Sequence, residues 1–187
     1  ATNTFVANAL KFGAEELERI VMCAVANAKN KKKKSNGTQE KFVALDIGPL
    51  GKLLKPYGDL DFEDAVAAFA KTVRFGAAAG VDLVVVETMA DSYETKAAVL
   101  AVKENCDLPV LVTNAYGQSG NLMTGATPEA MVAMLEGLGV DLLGANCSLG
   151  PKQLRSVVER LLAVASVPVV LKPNAGLPRL EDGKTVF

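Results

Sequence analysis

The sequence predicts an α/β fold in which βα units repeat around a parallel sheet, and three observations lead there. Short runs rich in Val and Leu stand at 42–47, 82–87, 109–114, 141–146 and 168–172. They do not alternate apolar with polar residues, so both faces of each strand are expected to be covered, as in a parallel sheet. Between them lie stretches of helical periodicity, and the runs begin 27 to 40 residues apart. That spacing leaves room for a helix in each right-handed crossover.

The elements follow in chain order. ATNTF reads as the tail of a preceding strand. Leu17, Ile20, Val21, Ala24 and Ala28 share a helical face in 14–29. A Lys-rich loop is expected over 29–41, turn-rich and solvated rather than anion-binding, because no aromatic or second basic cluster accompanies it. Val66, Phe69, Ala70, Val73 and Ala77 define a helix in 63–79, and Ala97, Leu100 and Ala101 one in 93–104. Met131, Met134, Leu135 and Leu138 do so in 128–138, and Leu154, Val157, Val158 and Leu161 in 151–164. Thr127-Pro128 and Gly150-Pro151 have the form of helix starts, with proline where no backbone donor is needed. Gly80 and Gly139 stand where helices should end. Six strand tails and five helices fit either an open doubly wound sheet or a barrel without its first and last strands.

Composition narrows the class of function. Half of the residues are hydrophobic (50%), and 20 Lys and Arg nearly balance 21 Asp and Glu. A net charge of -1 gives no reason to expect nucleic acid as a partner. Cys23, Cys106 and Cys147 are scattered and odd in number, which fits thiols of a reducing compartment. No apolar run approaches the roughly 20 residues that span a bilayer, and the first ten residues lack the pattern of a signal peptide. A cytoplasmic location, with no membrane partner, is the expectation. The first residue is not Met, which suggests processing or excision from something longer.

The functional signal is positional. Apolar runs end in polar groups at Asn3-Thr4, Asp46, Glu87-Thr88, Thr113-Asn114, Asn146-Cys147 and Lys172 to Asn174. In a parallel barrel these ends open on one face, where active sites are assembled, and an open sheet offers a similar crevice. Asp46 and Glu87 stand out as substrate contacts, because a carboxylate ending an apolar run is costly unless paired or hydrated. Asp91 and Ser148 serve equally well as caps. Cys147 is the candidate nucleophile or soft-metal ligand, with burial as the competing reading. The chain has no His, which removes a Cys-His pair and a histidine-based zinc site. Cys23 and Cys106 read as structural. The loops Gly48-Pro49-Leu50-Gly51 and Gly117-Gln118-Ser119-Gly120 lack the spacing of a dinucleotide or P-loop signature.

These segments resemble the homocysteine-binding barrel of the cobalamin-dependent methionine synthases. The resemblance runs through Thr2-Asn3-Thr4-Phe5, Leu45-Asp46-Ile47-Gly48-Pro49, Val86-Glu87-Thr88-Met89-Ala90-Asp91 and Leu122-Met123-Thr124-Gly125. It continues through Gly144-Ala145-Asn146-Cys147-Ser148-Leu149-Gly150-Pro151, Lys172-Pro173-Asn174-Ala175-Gly176-Leu177-Pro178 and the terminal Asp182 to Phe187.

The resemblance implies a (β/α)8 TIM barrel, incomplete, with approximately strands 2–7 present, as a single partial domain over 1–187. It implies a methyltransferase that activates homocysteine as a zinc-bound thiolate to give methionine, with cobalamin as methyl carrier. Corrinoid and folate-binding modules, or a separate methyl-donor protein, would be partners. Cys147 would be the first of three cysteine ligands, the other two expected beyond Phe187. Glu87 would hold the substrate ammonium. Asn3, Asp46 and Asn146 would line or brace the pocket, and Asn114 and Asn174 would fix the loops around them. Without the expected first strand and Cys-Cys pair, this chain alone is expected to bind no cofactor and to be inactive, with barrel edges through which it would oligomerise. The alternatives are a relative with another thiol acceptor or methyl donor, a non-catalytic amino-acid-binding or scaffold fragment, and an unrelated open α/β protein.

Overall fold

A computed structural model describes residues 4–176, 179–181 and 183–186. Helix α1 (Ala14–Lys34) carries Glu15 and Glu16 in its first turn and four lysines in its last, a charge order that complements the helix dipole at both ends. The expected Lys-rich loop therefore begins late. Residues 29–34 are helical and only 35–41 are irregular, because lysine favours helix and the stop comes at Ser35, Asn36 and Gly37. The remaining helices are α2 (Phe62–Ala78), α3 (Ser92–Asn105), α4 (Pro128–Gly137) and α5 (Pro151–Val164). Asp91 caps α3 by accepting from the Tyr93 and Glu94 N–H groups, and Thr127 caps α4 through Ala130. Gly80 and Gly139 both take φ of 71° after their helices, a conformation that costs other residues more.

Five strands alternate with these helices: β1 (Ala44–Ile47), β2 (Leu83–Met89), β3 (Val110–Asn114), β4 (Leu142–Asn146) and β5 (Val169–Lys172). They form one parallel sheet in the order β1-β2-β3-β4-β5. An open doubly wound sheet reverses its strand order at a switch point; this one does not. The fold is α/β, a five-stranded parallel sheet flanked by helices, consistent with part of a (β/α) barrel. Strands β6 (Arg179–Glu181) and β7 (Lys184–Val186), which the sequence patterns do not predict, pair as an antiparallel hairpin.

The expected strand tail at the N-terminus is not a strand over its described residues. Residues 1–3, and with them Asn3, lie outside the described residues. Thr4 and Phe5 nevertheless pin the segment beside β1: the Thr4 hydroxyl donates to the Asp46 carbonyl (2.5 Å) and accepts from the Asp46 N–H (3.0 Å). Gly48 N–H donates to the Phe5 carbonyl. Two hydrogen bonds through the Thr4 side chain and one backbone bond hold the segment without continuing the ladder.

Strand register separates two faces. Leu45, Val84 and Val110 lie abreast, as do Ile47, Val86, Val112 and Leu143, and all are buried in the core that the helices cover. The opposite face carries Asp46, Val85, Leu111 and Leu142 in one row, Thr113, Gly144 and Val170 in the next, then Asn146 beside Lys172. In a flat sheet β2 and β5 would stand roughly 14 Å apart, three strand spacings. Lys172 instead touches Glu87, and Asn146 reaches Thr88. The sheet is curled, and its polar strand ends converge inside the curl.

Candidate functional site

Four strands deliver the cluster: Asp46 from β1, Glu87 and Thr88 from β2, Asn146 and Cys147 from the end of β4, and Lys172 from β5. The register of β2 shifts between Val86 and Met89, which places Glu87 and Thr88 in an irregular step. Thr88 has φ of 63°, and Cys147 and Ser148 have φ of 55° and 57°. A β-branched residue in the left-handed region is strained, and such strain persists only where neighbours enforce it. Asn146 enforces it here. Its Oδ1 accepts from the Thr88 N–H (2.9 Å), and its Nδ2 donates to the Thr88 hydroxyl (2.7 Å) and to Cys147 Sγ (3.2 Å). Thr88 Oγ1 and Cys147 Sγ stand 3.9 Å apart. Cys147 is half-buried, and its N–H donates to the Lys172 carbonyl.

The acids are unequally provided for. Glu87 holds the Lys172 ammonium. Asp46 Oδ1 is buried with no hydrogen-bond partner among the described residues. Burial raises the Asp46 carboxyl to about 6, the Glu87 charge adds to the rise, and Lys172 opposes it. The site therefore keeps an unused acceptor and excess negative charge beside an apolar wall.

Other strand-end residues go elsewhere. Asn114 is fully buried on the helix-facing side, where its Nδ2 donates to the Met89 carbonyl (3.2 Å) and to Thr95 Oγ1 on α3 (2.9 Å). Its neighbour Thr113 faces the curl, with a buried hydroxyl that lacks a partner among the described residues. Period-two alternation distinguishes the two once the register is known. Asn174 is exposed and joins the site's surroundings through its backbone, donating to the Leu149 carbonyl. Asp91 is a helix cap that also accepts from Thr124 (2.8 Å). A cleft of about 300 Å³ beside it, lined by Leu54, Pro56, Tyr57 and Tyr93 among others, does not include the polar cluster.

Sequence patterns do not single out Glu94. It lies on α3, 5% exposed, and accepts from the Leu50 N–H in the loop after β1 (2.7 Å). Burial raises its carboxyl to about 7, the Leu50 bond opposes the rise, and Asp91 adds to it. An acid raised in the folded state contributes stability that is complete below its unfolded pKa and lost as pH rises through the folded value. Between about pH 4.5 and 7 the protein is expected to lose on the order of 2 kcal/mol from this group. Glu94→Gln, which keeps an acceptor for Leu50, should flatten that loss in urea unfolding at pH 5 and pH 8. An equal loss in the variant would assign it to other groups.

The donor set does not fit a zinc ion by itself. Structural and catalytic zinc take three or four protein ligands of nitrogen, sulfur or carboxylate type. Among the described residues no three His, Cys, Asp or Glu are grouped to hold a metal. Cys23 is exposed on α1, and Cys106 follows α3, donating to the Val102 carbonyl away from the polar strand ends. Cys147 is the one thiol at the cluster.

Comparison with known proteins places these observations. The sequence profile of the homocysteine S-methyltransferases matches residues 1–186. A methionine synthase of Mycobacterium leprae is 32% identical over 146 residues, 75% of this chain and 12% of that protein. A methionine synthase of Mycobacterium tuberculosis is 30% identical over 147 residues, 76% of this chain and again 12% of the other. The chain thus spans only a small part of the curated relatives it matches. The crystal structure of the homocysteine methyltransferase MmuM from Escherichia coli in its metallated form superposes with a TM-score of 0.81 at 20% identity, covering 94% of this chain and 66% of that one. The oxidized form gives 0.82 at 21% identity, covering 94% and 65%. At that identity the likeness is one of fold.

These findings correct the narrower expectation of a cobalamin-dependent branch. One profile, that of homocysteine S-methyltransferases at large, accounts for residues 1–186, and the solved structures are of a homocysteine methyltransferase. Cobalamin as cofactor and corrinoid and folate modules as partners are withdrawn with it. The physical reason is that the motif residues the fold brings together, Asp46, Glu87, Asn146 and Cys147, form a single strand-end cluster. A cluster confined to one set of strand ends carries no information about what would bring a methyl group.

Proposed function

This chain belongs to the homocysteine S-methyltransferase family, and from that membership we propose that the protein transfers a methyl group to the sulfur of homocysteine, giving methionine. The observation that carries the reading is the orphaned acceptor Asp46 Oδ1 beside Glu87. A buried carboxylate oxygen without a donor calls for one, and the ammonium of an amino acid supplies it next to a second carboxylate. In this reading Glu87 and Asp46 hold the ammonium, and Asn146 fixes Thr88 and the Cys147 thiol; the pocket role expected of Asn3 falls outside the described residues. Asn114 braces β2 against α3, and Asn174 supports the loop after β5. Residues 1–187 form a single partial domain of the (β/α)8 barrel type, and the protein works in the cytoplasm. No helix among the described residues is long and apolar enough to cross a membrane. Family chemistry presents the substrate sulfur on zinc. Cys147 would be one ligand, and the described residues supply no others, so their part is binding and orienting the amino acid.

That same donor set favours one rival, an amino-acid-binding fragment without turnover. Calorimetric titration with homocysteine, followed by assay of methionine formation with added zinc and a panel of methyl donors, separates the two. Binding with turnover supports the transferase, binding without turnover supports the rival, and no binding removes both. Asp46→Ala is expected to weaken homocysteine binding about tenfold, the scale of a charge-assisted hydrogen bond. Stability at pH 8 should hold or rise, because a half-buried carboxylate whose Oδ1 lacks a partner among the described residues has been removed. A loss of stability with unchanged affinity would make Asp46 structural.

A further inference from the structure

Lys172 has no part in the function argued so far, yet its position is specific. It ends β5 on the inner face of the curl, and its ammonium crosses to the Glu87 carboxylate on β2. The side chains keep 43% and 21% of their exposure, so the pair is partly screened and contributes little stability of its own. Two acids share this one base, since Asp46 feels the charges of both Glu87 and Lys172. An acid and a base in direct contact match the head of an α-amino acid, where ammonium and carboxylate sit on one carbon. When an ammonium takes Glu87 and Asp46, Lys172 is released beside the place where the attached carboxylate must lie.

We propose that Lys172 is a specificity determinant of this site: it holds Glu87 before substrate arrives and pairs with the α-carboxylate of the bound substrate, so that an amino-acid thiol is chosen over a simple aminothiol. The proposal rests on the homocysteine reading above and deepens it. Charges then alternate through the occupied pocket, from substrate carboxylate to Lys172 and from substrate ammonium to Glu87 and Asp46. No chemical step is assigned to Lys172; it binds.

The test is calorimetric titration of the wild-type chain, Lys172→Met and Lys172→Arg with two ligands, homocysteine and 3-aminopropane-1-thiol, which is homocysteine without its carboxylate. Lys172→Met should weaken homocysteine about tenfold, as expected for loss of a partly exposed charge pair with a ligand. It should leave the aminothiol unchanged or tighter, because the internal competitor for Glu87 is gone. Lys172→Arg should keep homocysteine within about threefold, since both side chains are cations. Retained aminothiol binding also reports that Lys172→Met is folded. Equal weakening of both ligands would reduce Lys172 to a structural role, and unchanged homocysteine affinity would remove it from the site. Wild-type chain that binds homocysteine while Lys172→Met binds it equally overturns this proposal alone. Wild-type chain that binds neither ligand overturns the substrate reading together with it.

Discussion

Gly144→Val is expected to destabilise the protein by about 4 kcal/mol, in the range reserved for severe core disruption. A Cβ on Gly144 would stand 1.8 Å from the Val170 carbonyl oxygen, and the Val170 carbonyl carbon and nitrogen lie within 2.9 Å. The obstacle is backbone, so no rotamer change relieves it. β5 would have to leave β4, breaking the pairings from Leu143↔Val169 to Asn146↔Lys172. Urea unfolding reads the loss directly. Because Lys172 rides on β5, homocysteine affinity should fall as well, even though Gly144 touches no substrate in the proposed pocket. A variant with near-wild-type stability would mean that β5 can shift outward without cost and that β4–β5 pairing contributes little.

Asn146→Ala should cost about 3 kcal/mol, more than a single hydrogen bond, because it strips the Thr88 N–H and hydroxyl of their partners at once. Asn146 is 2% exposed, so water does not readily replace it. The left-handed backbone of Thr88 would also lose what enforces it. The functional effect should be larger than the stability change alone suggests: homocysteine binding is expected to fall at least tenfold, since both Glu87 and Cys147 flank the released groups. Asn146→Asp separates the contributions. It keeps an acceptor for the Thr88 N–H but loses the donor to Thr88 Oγ1 and Cys147 Sγ, so stability should recover in part while binding stays weak. Full recovery of binding in Asn146→Asp would show that holding the Thr88 backbone is the whole function of Asn146.

The elements were legible where periodicity and punctuation agree. Thr127-Pro128 and Gly150-Pro151 mark helix starts and Gly80 and Gly139 helix ends, because these residues act on the backbone within a few positions of themselves. Lys29 to Lys34 misled because apolar periodicity stops at Ala28, whereas a helix needs no apolar face to continue through its charged last turns. Asp46, Glu87 and Asn146 could be picked out because a polar side chain closing an apolar run is costly without a purpose. Thr113 and Asn114 could not be told apart, since which of two neighbours faces the curl depends on pairing with β2 and β4. Glu94 reads in sequence as an ordinary surface acid of a helix; its burial arises only because the loop at Leu50 folds over it.

The sequence by itself determined the repeating βα order, the strand-end polar residues, and a resemblance to the homocysteine methyltransferases. These follow from local rules of backbone and burial, and from motifs that fall within a single unit. Only the tertiary structure decided that Lys172 reaches Glu87, 85 residues away, that Asn146 enforces the strain at Thr88, and that Asp46 is left with an acceptor to fill. Each depends on the curl of the sheet, which brings nonadjacent strand ends together through the summed twist of strands paired in sequence order, a geometry that no single segment contains.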